Sequence, residues 1–218
     1  MSSVAAADAK KARSKRRWAL VKSFMAEKLK NPEGGTIKLN EADGACRLRF
    51  KFFEDKVSES DEAQSTQTVQ WSIADGVSLS LLQRLEGIIA LDDVERAKAS
   101  RIDNTGNVAL WHEETLAYWC RENASLFAGK TVCELGAGMT GMAGLVVAAT
   151  TGATAVHITD GHPVCGEFIE RNIERHSAVF PSGCSVTGGA LVWDRNATID
   201  AFPGAPFDVV TVADWYVG

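Results

Sequence analysis

No two of the five cysteines form a CxxC pair, and none of the four histidines stands at ligand spacing from a cysteine. That excludes the common structural zinc signatures, so no metal is expected. The cysteine count is odd, and four of the five sit in apolar or helix-like surroundings. Free, mostly buried thiols in a reducing compartment are expected rather than a disulfide framework. No internal repeat and no low-complexity tract is visible. The first residues are polar and basic where a signal peptide would carry an apolar segment, so none is expected. The one long uncharged run, Leu135 to Val156, exceeds the ~18 residues of a membrane span. It holds five glycines and four threonines and is interrupted by Gly-Ala-Gly and Thr-Thr-Gly. A loop, a small-residue helix and a turn fit it better.

What is present is an ordinary apolar content of 45% and a charged content of 23% in 218 residues, enough to bury a full core. The net charge of −5 is unevenly spread. Residues 1–30 hold nine Lys or Arg against Asp8 and Glu27, about +7, which leaves −12 for the other 188. From Lys10 to about Lys30 a helical pattern sets Trp18, Val21, Met25 and Leu29 on one side, until Asn31-Pro32 and Gly34-Gly35 stop it. The basic run KKARSKRRW reads as a nuclear-import signal or as a clamp for an acidic partner. Strands are expected at 46–53 and 68–73, with the acidic stretch VSESDEAQSTQ between them as a loop. A short helix is expected at 79–90 and a longer one at 113–127.

From Thr131 the pattern becomes strand, glycine turn, helix, strand, helix. Strands are expected at 131–135, 154–160, 185–193 and 208–214, with helices at about 141–150 and 163–176. Such alternation predicts an α/β fold with a parallel, Rossmann-like sheet. Gly136-Ala137-Gly138-Met139-Thr140-Gly141 matches GxGxxG after a strand, and Asp160 lies 19 residues past Gly141. Dinucleotide folds and S-adenosylmethionine (SAM) folds share those features, and in either Asp160 can accept from ribose hydroxyls. Glu134, two residues before the first glycine, separates them by charge. NAD would bring two phosphate charges against this carboxylate, whereas SAM brings an ammonium and a sulfonium. Glu134 therefore favours SAM; its alternative reading is a solvated strand end. Trp193 and Trp111 are candidates to wall the cofactor cleft or stack on adenine, and ordinary core is the alternative for each.

The runs TGNVALWHEETLAYWC, TVCELGAGMTGMAGLVVA, HITDG, LVWD and FDVVTVAD resemble the seven-strand SAM-dependent protein-lysine methyltransferases, and within them the branch that acts on calmodulin. The resemblance runs from about Trp18 to Asp214. It implies a Rossmann-like SAM-dependent methyltransferase sheet, SAM as cofactor, calmodulin as protein substrate, trimethylation of one lysine, and a cytoplasmic and nuclear location. It also implies a monomer with no nucleic-acid partner and no membrane attachment. By position, Glu134, Gly136 and Gly138 would form the cofactor turn and Asp160 would bind the ribose. Trp111 and Trp193 would line the cleft, with Ala213 at the end of the fourth strand. Asp214 would start an Asp-x-x-aromatic motif that shapes the target-lysine channel, and is the candidate catalytic residue.

Two departures stand out. Val217 occupies the family's aromatic position, the aromatic being Tyr216, and the chain ends at Gly218 where the family continues for about three more strands. The expected organisation is a basic arm (1–30), a β-containing extension (31–110) and the N-terminal half of a SAM-binding domain (111–218). A C-terminally truncated isoform or an incorrect gene model is expected, with weak SAM binding, poor solubility and no methyl transfer. A SAM-binding but inactive chain serving as a binding module, and a small-molecule methyltransferase or NAD enzyme, stay open as alternatives.

Overall fold

The computed structural model describes residues 36–38, 52–85, 88–99, 111–193 and 204–213. The basic arm, most of the 46–53 segment and Asp214 lie outside the described residues. In chain order the elements are β1 (Thr36–Lys38), β2 (Glu54–Asp61), β3 (Thr66–Ala74), β4 (Val77–Arg84), β5 (Ile88–Ala90), α1 (Leu91–Ala99), α2 (Trp111–Glu122), β6 (Thr131–Leu135), α3 (Met142–Thr150), β7 (Ala155–Asp160), α4 (Pro163–Arg175), β8 (Ser185–Ala190) and β9 (Val209–Val212). A 3₁₀ turn at Ala124–Leu126 follows α2.

Four strands form a parallel sheet in the order β8-β7-β6-β9. The first strand of the unit is therefore central, flanked by its second and fourth, and the carboxyl end of β6 opens where the strand order reverses. In open α/β sheets that reversal is where ligands bind. This is the Rossmann-like sheet expected from the alternating pattern. The uncharged run from Leu135 to Val156 resolves into a turn, the nine-residue α3 and the start of β7. Among the described residues no helix is long and apolar enough to cross a membrane.

Two expectations in the N-terminal half are overturned. The loop expected over VSESDEAQSTQ shrinks to a turn at 62–65, and the acidic residues before it are strand: β2 pairs antiparallel with β3 from Glu54↔Ser72 to Asp61↔Thr66. Its side chains are almost all exposed, so it carries no buried face to announce it. The ladder to β3 makes it a strand. Residues 79–90 are not a helix. Val77–Arg84 is β4, with Leu79, Leu81 and Gln83 buried and the residues between them less so. That is period-two alternation, and the Asp75-Gly76 pair before it is a hairpin signal joining β3 to β4. The third strand is also shorter than expected: β8 ends at Ala190, leaving Leu191–Trp193 beyond it.

One apolar core joins both sheets. Val69, Trp71 and Ile73 from β3 and Leu79 and Leu81 from β4 pack with α2, α3, β6 and β7. α2 also fastens the entry to β2, because Glu114 Oε1 accepts from the backbone N–H of Phe52 at 2.9 Å and of Phe53 at 3.1 Å. The outer edge of β4 lies on α4, where side chains take the place of a neighbouring strand. The elements that carry the glycine turn are therefore held from behind by the N-terminal sheet.

Candidate functional site

The chain leaves β6 at Leu135 through three glycines with positive φ: Gly136 (+70°), Gly138 (+60°) and Gly141 (+61°). This region strains any residue with a Cβ, which is why the motif spaces glycines there. Backbone bonds from Ala137 N to Thr159 O (3.0 Å) and from Gly141 N to Ala137 O (3.3 Å) fix the turn. Asp160 closes it. Its Oδ2 accepts from Gly138 N at 2.9 Å and its Oδ1 from His162 N at 2.7 Å. The placement puts Gly136, Gly138, Glu134 and Asp160 in one group at the carboxyl ends of β6 and β7.

Two more carboxylates meet at the start of α3. Glu134 points into the helix from β6, where its Oε2 accepts from Gly144 N at 2.6 Å. It is 1% exposed, so it is not a solvated strand end. Glu113, from the first turn of α2, accepts from Met142 N and from the Thr140 hydroxyl. Both acids thus occupy the N-terminal turn of one helix, whose free N–H groups favour negative charge. That turn carries only about half a positive charge, which cannot balance two buried anions. Burial, with the Glu134 charge adding to it, pushes the Glu113 carboxyl well above the usual range. Burial pushes Glu134 up to about 7, the Gly144 bond opposing and Asp160 adding. Glu134 Oε1 is buried and has no hydrogen-bond partner among the described residues. No described Lys or Arg pairs with either acid.

The aromatic wall comes from Trp193, just past β8. The indole is 44% exposed, so it is not ordinary core. A methyl group placed on Gly136 would lie 3.6 Å from its Cζ2 and Cη2, which sets the ring beside the glycine turn. Ala213 follows β9, whose Val212 pairs with Leu135 at the last residue of β6. Trp111 is the first residue of α2. Its side chain and the whole of Asp214 lie outside the described residues. The sequence reading missed Glu113. Its signal was an acidic pair in the first turn of a helix, which is common, and only the packing of α2 on α3 gives it a role. Among the described residues no group of His, Cys, Asp and Glu is arranged to hold a metal ion.

A family model described as lysine methyltransferase matches residues 87–217. A calmodulin-lysine N-methyltransferase of Arabidopsis thaliana is 42% identical over 137 residues, 62% of this chain and 44% of that protein, so the match spans less than half the relative's length. Two solved structures are similar at low identity. One, assigned as a SAM-dependent methyltransferase from Streptococcus mutans, is 14% identical with a TM-score of 0.36, covering 63% of this chain and 28% of that one. The other, assigned as an RNA methyltransferase from Pyrococcus horikoshii, is 17% identical with a TM-score of 0.30, covering 46% and 43%. With its glycine turn, its β8-β7-β6-β9 sheet and a family match over more than half its length, this chain belongs to the lysine methyltransferase family.

Proposed function

We propose that the chain binds SAM at the Gly136–Gly141 turn and serves a protein-lysine methyltransferase whose substrate is calmodulin. The observation that carries the cofactor assignment is the pair of buried acids at the turn. Burial raises the cost of ionising both, the Glu134 charge adds to it for Glu113 and the Asp160 charge for Glu134, and Glu134 keeps one oxygen without a partner among the described residues. A cationic ligand would relieve that repulsion, and a pyrophosphate would increase it. Bound there, SAM would supply an electrophilic methyl group for a neutral lysine amine.

The chain's own residues have three tasks in this reading. Glu134 would meet the ammonium end of the ligand. Asp160, already oriented by Gly138 N and His162 N, would accept from ribose hydroxyls. Trp193 would cover the ring system and exclude water. A free lysine has a pKa near ~10.4, so the target amine must lose its proton before it reacts. A dry, aromatic-walled entry favours the neutral amine, with Asp214 proposed to hold the lysine head.

Calmodulin as substrate rests on the 42% identical relative, whose name states that activity. The basic run at 10–18 suits an acidic partner, and the free thiols Cys120, Cys133, Cys165 and Cys184 suit the cytoplasm and nucleus. The test is transfer of a labelled methyl group from SAM to purified calmodulin, with the site located by mass spectrometry. Label on a lysine side chain is expected from a version extended to the length of the 42% identical relative. Label found only on small molecules, with SAM bound, would overturn the protein-lysine reading.

A further inference from the structure

Asn172 lies on α4, outside the glycine turn, and is fully buried. A side-chain amide has one acceptor oxygen and two donor hydrogens, and here all are engaged. Oδ1 accepts from Leu82 N at 2.7 Å. Nδ2 donates to Leu82 O at 3.1 Å and to Thr140 O at 3.2 Å. Leu82 N can only donate, so the orientation of the amide is fixed by its partners. The residues on either side continue the contact. Ser80 N donates to His176 Nε2 at 2.8 Å, and Arg84 N reaches Met139 Sδ at 3.1 Å.

Ser80, Leu82 and Arg84 alternate along β4, so their N–H groups leave the edge that faces away from β3. That edge is satisfied by side chains on α4 and by the turn itself. His176 and Asn172 use it differently. His176 joins β4 to the end of α4: burial lowers its pKa, Nε2 accepts from Ser80 N, and Nδ1 donates to Asn172 O at 2.6 Å. Asn172 joins three parts, β4, α4 and the Met139–Thr140 peptide of the turn.

We propose that Asn172 is a positioning residue for the cofactor turn, through which the β2–β3–β4 sheet sets the shape the turn presents to its ligand. The sheet is then more than an N-terminal addition to the core. It adds a brace to the turn beside those from β7, Asp160 and Glu113. The proposal rests on the reading of this turn as the SAM site, but one arm of its test does not.

The test compares the wild-type chain with Asn172→Ala, Asn172→Ser and His176→Ala. Serine is the milder change, since its hydroxyl is too short to bridge Leu82 and Thr140 together. Two quantities are measured well below each variant's melting temperature: hydrogen exchange of amides 138–142 without ligand, and affinity for S-adenosylhomocysteine by calorimetry. All variants should melt earlier. Both Asn172 variants should exchange the turn amides faster and bind the ligand more weakly, each by about tenfold, the scale of one lost buried hydrogen bond. His176→Ala should leave both quantities within about twofold of wild type, because the bonds it loses, to Ser80 N and Asn172 O, do not involve the turn. Asn172 variants with wild-type exchange and affinity would overturn the proposal, and so would His176→Ala changing the turn as much as they do. Absence of ligand binding by the wild type would count against the cofactor reading, while the exchange measurement would still decide the role of Asn172.

Discussion

At the scale of single residues, the acids around α3 make the sharpest predictions. Glu134 has a folded pKa of about 7, above its unfolded value, because burial penalises its charge. The folded state therefore holds that proton more tightly. Stability should fall as pH rises from about 4.5 to about 7 and level off above, by linkage. Glu134→Gln keeps the shape and never ionises. The ligand-free variant should melt higher than wild type at pH 8, by on the order of 3 kcal/mol at most, with the gap closing near pH 5. It should also bind SAM more weakly, by about 1–3 kcal/mol. Thermal melts across pH and calorimetry check both; equal stability at pH 8 would mean that Glu134 is not charged when the site is empty. Asp160→Ala should weaken SAM by about 1–3 kcal/mol as well, and also loosen the turn, since Gly138 N and His162 N lose their acceptor. The glycines, Glu134 and Asp160 were legible as one group because the strand, the glycine spacing and the acid at the end of the next strand lie in one continuous segment. Glu113 was not, because its partners Thr140 and Met142 are 27 and 29 residues away and only tertiary packing brings them to it.

At the scale of elements, α3 shows why small residues crowd its start. A Cβ on Gly144 would lie 2.6 Å from Ile158 Cγ1 and 2.7 Å from Glu134 Oε2. Gly144→Ala should therefore push α3 off β7, destabilising by about 1–3 kcal/mol despite the better helix propensity of alanine. A denaturant melt checks this, and a neutral or stabilising result would mean that α3 packs less closely than described. The parallel half of the fold was legible because strand and helix patterns alternate and are divided by glycine turns, and β6, β7, α3 and α4 fall within a residue or so of their expected ends. The antiparallel half was not. β2 has no buried face, so its polar composition resembles a loop and its ladder to β3 sets it as a strand. β4 has the alternation of a strand, but the leucines at 79, 81, 82 and 85 also suit one face of a short helix. The outcome depended on which partner, β3 or solvent, met that edge.

At the scale of the whole molecule, the sheet ends at β9 among the described strands, and Val210 and Val212 are 53% and 37% exposed on the same face of it. Exposed apolar residues on an edge strand favour association with another chain. Sedimentation velocity should show concentration-dependent self-association, reduced by Val210→Lys; a monomer at all concentrations would contradict this. The basic arm acts at the same scale. Removing residues 1–30 should weaken calmodulin binding mainly at low salt, because the interaction would be one of surface charges. Unchanged affinity would leave import or self-packing as the role of the arm. The central claim is that the turn and its buried acids take a cationic, phosphate-free nucleoside. Titration calorimetry of the purified chain with SAM, S-adenosylhomocysteine and NAD tests it most directly. SAM and S-adenosylhomocysteine should bind, NAD should not, and SAM should gain affinity from pH 6 to pH 8 as Glu134 ionises. Binding of NAD as tight as, or tighter than, that of S-adenosylhomocysteine would contradict the account.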